Sequence, residues 1–144
     1  MPIDSYTPKP KVDILVETEV KRTESKEKVA EAISKIFKER GELRVENDRV
    51  QFVSEDIESL TFLRDQLRDR HVRAAARRLL LSGMGETNET RILLNKQAAT
   101  VGIAALCDDP RESPLGPIIL RIRSDNLEKT IEWITSHYSL AERS

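Results

Sequence analysis

Six arginines fall within fifteen residues, at Arg64, Arg68, Arg70, Arg73, Arg77 and Arg78, opposed only by Asp65 and Asp69. Six positive charges less two negative leave +4 on this stretch. A guanidinium is a planar fork of N–H donors that matches phosphate oxygens. On a helix, Arg70, Arg73 and Arg77 would share a stripe about 60° wide, able to hold successive phosphates of a nucleic acid. The competing use is ordinary: such arginines pair with nearby glutamates and lay their stems over apolar neighbours. A second group, Asn95-Lys96-Gln97-Ala98-Ala99 with Gly102 beyond, combines two amides, an ammonium and small residues. Amides both donate and accept, which suits base and ribose edges, and lysine supplies charge for a phosphate. The same residues also suit a turn whose amides satisfy local backbone groups. The candidate RNA contacts are therefore Arg70, Arg73, Arg77, Arg78, Asn95, Lys96 and Gln97.

Catalytic and metal chemistry finds less to work with. His71, His137 and the single Cys107 have no metal-ligand spacing, and C-x-x-C and H-E-x-x-H are missing. Gly83-x-Gly85 lacks the third glycine of a dinucleotide loop and follows a helical pattern instead of opening one. Cys107 stands beside Asp108 and Asp109, anions that raise a thiol pKa and blunt a nucleophile. Asp108, Asp109 and Glu112 could hold a divalent ion, although carboxylates in a Pro-containing loop are usually solvated. Aromatic surface for base stacking is sparse, because Phe37, Phe52 and Phe62 sit in apolar patterns. No catalytic residue, metal or cofactor is expected.

The chain has 144 residues, 38% hydrophobic and 34% charged, enough apolar material for one folded domain. Lys and Arg number 24 against 25 Asp and Glu, a formal net charge of −1. That balance excludes a generally basic nucleic-acid binder and leaves room only for a local basic patch. One cysteine cannot form an internal disulfide, which fits a reducing compartment. Without a long apolar run or a signal-like start, a soluble cytoplasmic protein is expected.

Residues 1–10, with Pro2, Pro8 and Pro10, read as a flexible leader to a single α+β domain over 11–140. Val12, Ile14, Val16, Thr18 and Val20 alternate with Asp13, Glu17 and Glu19, the pattern of a half-buried strand. Thr23 or Ser25 caps a helix running to about Arg40, with Val29, Ile33, Ile36 and Phe37 on one stripe and Gly41 at its left-handed end. Leu43 to Phe52 reads as a hairpin turning at Asn47-Asp48, both tolerant of positive φ. Ser54 caps a helical stretch from Ile57 to Leu81, whose apolar stripe shifts face near Asp69 and so suggests a kink or two helices. Strands are expected at Thr90–Leu94, Val101–Leu106 and Ile118–Arg123. Ser124 or Asp125 then caps a last helix with Leu127, Ile131 and Ile134 inward and Trp133 and Tyr138 at its edges. The order β-α-β-β-α-β-β-β-α predicts an α+β fold, mainly antiparallel, with helices packed on one face.

Three motifs resemble an archaeal group, uncharacterised protein family 0201. They are Arg70-His71-Val72-Arg73-Ala74-Ala75-Ala76-Arg77, then Leu94-Asn95-Lys96-Gln97-Ala98-Ala99 with Gly102, then Ser113-Pro114-Leu115-Gly116-Pro117-Ile118. The likeness runs from Val12 to Tyr138. It implies a fold similar to the large-subunit ribosomal protein of the L-five family, and RNA binding by analogy of fold. The expected function is non-catalytic binding of structured or ribosomal RNA through the Arg-rich helix and the Asn-Lys-Gln turn. The alternative is a protein-interaction module or homodimer without a nucleic-acid ligand, built on a sheet edge or on the Ala-rich helix. An enzyme ranks third.

Overall fold

The computed structural model describes residues 10–136. The expected leader, apart from Pro10, lies outside them, as do His137 and Tyr138. Within them the fold is α+β, as the alternation and stripes predict. Six strands form one antiparallel sheet: β1 (Val12–Glu19), β2 (Glu42–Val45), β3 (Arg49–Ser54), β4 (Glu89–Leu94), β5 (Leu106–Cys107) and β6 (Ile118–Ser124). Their spatial order is β2-β3-β1-β6-β4-β5, so the first and last strands are neighbours at the centre. Among the described residues five α-helices accompany the sheet: α1 (Lys26–Ile36), α2 (Thr61–Asp69), α3 (Arg73–Ser82), the single turn α4 (Lys96–Ala99) and α5 (Leu127–Ile134).

One face of the sheet is dry. Val12, Ile14 and Val16 of β1, Val50 and Phe52 of β3, Ile92 and Leu94 of β4, and Ile118, Leu120 and Ile122 of β6 are buried. Against them lie Val29, Ile33 and Ile36 of α1, Leu63 and Leu67 of α2, Leu80 of α3 and Ile131 and Ile134 of α5. Each helix therefore buries the stripe that its three- and four-residue spacing marks. The opposite face carries Asp13, Glu17, Gln51, Glu89, Arg91, Arg121 and Arg123, as strand alternation requires.

Several local expectations are corrected. Of the two caps expected for α1 the structure uses Ser25, its hydroxyl accepting from the Lys28 amide at 3.3 Å. The helix stops at Ile36, short of Arg40, and the left-handed residue is Arg40 at φ 64°. Gly41 serves a different purpose, since a Cβ there would lie 2.5 Å from the Val53 carbonyl oxygen and collide with the Phe52 ring. The Asn47-Asp48 hairpin is present, closed by the Glu46 amide donating to the Arg49 carbonyl at 2.8 Å, yet neither turn residue has positive φ. Asp56 caps the segment after β3, while the Ser54 hydroxyl donates to the Arg40 carbonyl at 2.6 Å. At the last helix the cap is Asn126.

The expected strand Val101–Leu106 shrinks to Leu106–Cys107. After α4 the amides of Val101, Gly102 and Ile103 donate back to Ala98 and Ala99, and Gly102 turns at φ 77°. Val101 is left 70% exposed, so its apolar side chain carries no strand here.

Candidate nucleic-acid interface

The Arg-rich stretch is two helices. A 3-10 turn (Ile57–Leu60) leads into α2, which ends at Asp69, and His71 adopts φ 59° before α3 starts at Arg73. The apolar stripe rephases across this break, from Leu63 and Leu67 to Ala76 and Leu80. That is the shift foreseen near Asp69. It also corrects the single stripe of Arg70, Arg73 and Arg77, because Arg70 lies before the left-handed residue and off the axis of α3.

The arginines then divide by partner. Arg64 is buried, its Nε donating to the Trp133 carbonyl at 2.9 Å with the guanidinium 4.9 Å from the Trp133 ring centroid. Burial pushes its pKa down. Arg68 pairs with Asp69 at 3.0 Å and with Asp65 at 3.6 Å. Arg78 reaches Asp108 at 3.5 Å, and with Arg70 it lines a groove beside Ala104 and Leu106. Arg73 and Arg77, one turn apart on α3, line a separate surface cavity of about 270 Å³ with His71, Ala74 and Thr135. Among the described residues, neither Arg73 nor Arg77 has a carboxylate within ion-pair distance, nor does Arg70. These two guanidiniums and an imidazole facing one recess can accept an anion.

The Asn95-Lys96-Gln97 group behaves otherwise. Asn95 is the N-cap of α4: its side-chain oxygen accepts from the Ala98 amide at 2.9 Å, and its Nδ2 donates to the Glu112 carbonyl at 3.2 Å. Lys96 is 2% exposed. Its Nζ donates to the Glu19 carbonyl at 2.7 Å, the Leu115 carbonyl at 2.6 Å and the Glu24 carboxylate at 2.9 Å. Ser113 accepts from the Lys96 amide at 3.2 Å and donates to the Gly116 carbonyl at 2.7 Å. The Asn-Lys-Gln-Ala-Ala and Ser-Pro-Leu-Gly-Pro motifs are thus two halves of one internal joint. Lys96 is withdrawn from the phosphate contacts and Asn95 from the base readers, because their polar atoms already hold the fold together. Gln97 alone of the three is exposed. It does not extend the arginine recess, since α4 packs on α1 whereas α3 packs on β4 and α5.

Sequence reasoning passed over the open sheet face, although the alternation of Arg121 and Arg123 marks it. A recess of about 830 Å³ there is lined by Asp13, Leu15, Arg44, Gln51, Arg121 and Arg123 among others. Its charges are largely cross-strand pairs. Arg121 and Arg49 meet Glu17 across strands, with Arg49 at 3.8 Å, Arg123 meets Glu89 across strands at 3.3 Å, and within β2 Arg44 meets Glu42 at 3.5 Å. Cys107 is buried, and its thiol is pushed up by burial and then by Glu112 and Asp108. No group of three His, Cys, Asp or Glu that could hold a metal occurs among the described residues. No helix among them is long and apolar enough to cross a membrane.

A family model described as RNA binding matches residues 13–124, the span from β1 to the end of β6. The UPF0201 protein of Pyrobaculum arsenaticum is 35% identical over 127 residues, covering 86% of this chain and 87% of the relative. That of Methanothermobacter thermautotrophicus is 35% identical over 129 residues, covering 90% and 95%. The crystal structure of a UPF0201 protein from Methanococcus jannaschii superposes with a TM-score of 0.72 at 30% identity, covering 88% of this chain and 94% of that one. With sequence, family model and fold in agreement over most of its length, this chain belongs to the UPF0201 family.

Proposed function

We propose that the chain is a non-catalytic protein that binds structured RNA, with Arg73, Arg77 and His71 as its anchoring contacts. One observation carries the reading: these side chains line a single recess, and both arginines lack a carboxylate partner among the described residues. An unneutralised guanidinium pair is suited to phosphate, and its spacing of one helical turn suits neighbouring backbone groups. Arg70, before α3, and Arg78, whose guanidinium also reaches Asp108 at 3.5 Å, line a neighbouring groove that extends the contact. The family description as RNA binding supports the choice of ligand. Recognition rests on phosphate and shape, with Gln97 the one amide of its motif exposed enough to touch an RNA edge. The likeness to the L-five ribosomal protein, a cytoplasmic location and the absence of catalysis belong to the same reading. The raised thiol pKa of Cys107 makes that one side chain a poor nucleophile, since the protonated thiol does not attack.

The test is a titration of the full chain with structured RNAs at several salt concentrations. The parent binds with an affinity that falls steeply with salt. Arg73→Glu with Arg77→Glu loses at least about tenfold in affinity and flattens the slope of log affinity against log salt by roughly 0.7–0.9 per lost contact. If the folded double variant binds as well as the parent, the recess is not the site. A parent that binds no RNA above a neutral control leaves the protein-interaction reading, which one feature favours: an edge strand of the sheet that no other strand covers among the described residues.

A further inference from the structure

The two edges of the sheet differ. β5 is only two residues long, whereas β2 is a four-residue strand exposed along its whole length, with no strand beyond it among the described residues. Leu43 and Val45 are 38% and 45% exposed although they lie on the helix-covered face, opposite Phe52 and Val50. Glu42 and Arg44 lie on the open face, opposite Val53 and Gln51. The hairpin fixes which backbone groups are free. The Glu46 amide bonds the Arg49 carbonyl, so hydrogen-bonded pairing alternates to Arg44 with Gln51 and Glu42 with Val53. The N–H and C=O of Leu43 and Val45 therefore point away from β3, toward the free edge.

We infer that β2 pairs with β2 of a second copy of this chain, antiparallel about a two-fold axis, with Leu43 opposite Leu43 of the partner subunit. A two-fold axis perpendicular to the sheet keeps each side chain on its own face, so the axis passes through one of the four residues of β2, and centring it on Glu42 or Val45 leaves only that residue of β2 opposite β2 of the partner subunit. Centring on Arg44 sets arginine against arginine, and centring on Glu42 sets glutamate against glutamate. Like charges directly opposite are unfavourable. Only the Leu43 register places Glu42 opposite Arg44 of the partner subunit, and does so twice. It is also the register in which the free N–H and C=O of Leu43 meet their symmetry mates. On the covered face, Leu43 packs on its counterpart and Val45 faces Gly41 of the partner subunit, which has no side chain to obstruct it. Four residues a side bury less than the roughly 1,200–2,000 Å² of a standard interface, so the dimer is reversible and forms with rising concentration.

Sedimentation equilibrium of the full chain, from low micromolar to submillimolar concentration, tests this. The parent passes from monomer to dimer. Arg44→Glu alone puts like charges at both cross-strand pairs and weakens association about tenfold or more. Combining it with Glu42→Arg restores opposite charges and the dimer. Leu43→Pro removes an edge-facing N–H without touching the β3 ladder and leaves a monomer, provided circular dichroism matches the parent. A parent that stays monomeric throughout overturns the proposal. So does a dimer indifferent to Arg44→Glu, or an Arg44→Glu defect that Glu42→Arg fails to rescue.

Discussion

Lys96 and the Arg73–Arg77 pair are both cations at or near helix starts, and both lie in motifs that resemble binding sequences. Their surroundings separate them. Lys96 is enclosed by two carbonyls and the Glu24 carboxylate, a full set of acceptors for its three N–H donors. Arg73 and Arg77 line an open recess in which the described residues supply no such set. A buried charge persists only when it is paired and hydrogen-bonded, so Lys96 is committed to the fold. A charge left at a recess without a partner remains available to a ligand. The useful distinction lies in the partners already consumed, not in residue type.

The contrast can be broken most directly at Lys96. Lys96→Ala removes one member of a buried pair and should destabilise the protein by about 3–5 kcal/mol in a denaturant titration. A change below about 1 kcal/mol would mean that water replaces the ammonium at little cost. Arg73→Glu with Arg77→Glu, which costs RNA affinity, should alter stability by less than about 0.5 kcal/mol in the same assay, as at an ordinary surface. Between them falls Asn95→Ala, expected to cost about 1 kcal/mol through loss of the α4 cap. The smallest effect concerns Cys107, a buried ionisable group with carboxylates rather than cations beside it. Its folded pKa is raised by burial, so its contribution to stability is complete below the unfolded thiol range near 8.5 and falls as pH rises beyond it. Thermal melts across alkaline pH should show this decline in the parent and lack that part of it in Cys107→Ala.

The elements with strong periodicity were legible without coordinates. Val12 to Glu19 alternates in the structure as in the sequence, and Val29, Ile33 and Ile36 share the buried side of α1. The break near Asp69 was legible as a shift in stripe, but not that it would turn Arg70 away from Arg73. A left-handed histidine has no periodic signature. At Val101–Leu106 apolar content suggested a strand, and the chain instead turned back on α4 through local amide bonds. The fate of Lys96 was beyond local reading for a different reason. Its carbonyl partner Glu19 is 77 positions away and its carboxylate partner Glu24 is 72. No window of neighbours contains them. Spacing shows which side chains share a face, whereas the acceptors that meet them are chosen by topology.

The placement of β6 between β1 and β4 has a consequence for a chain made from its N-terminus. The β1 strand can pair with β3 early, but its other long edge waits for Ile118–Ser124, and until then Val12, Ile14 and Val16 on its covered face lack their neighbours from that strand. At a synthesis rate of about 5–20 residues per second, that edge stands open for several seconds after β3 has emerged. An unpaired apolar edge is a template for pairing with other chains. Asp13, Glu17 and Glu19, interleaved with its apolar residues, put negative charge along the strand during that interval. The acidic half of the alternation thus guards the nascent chain before it becomes the wet side of a finished sheet.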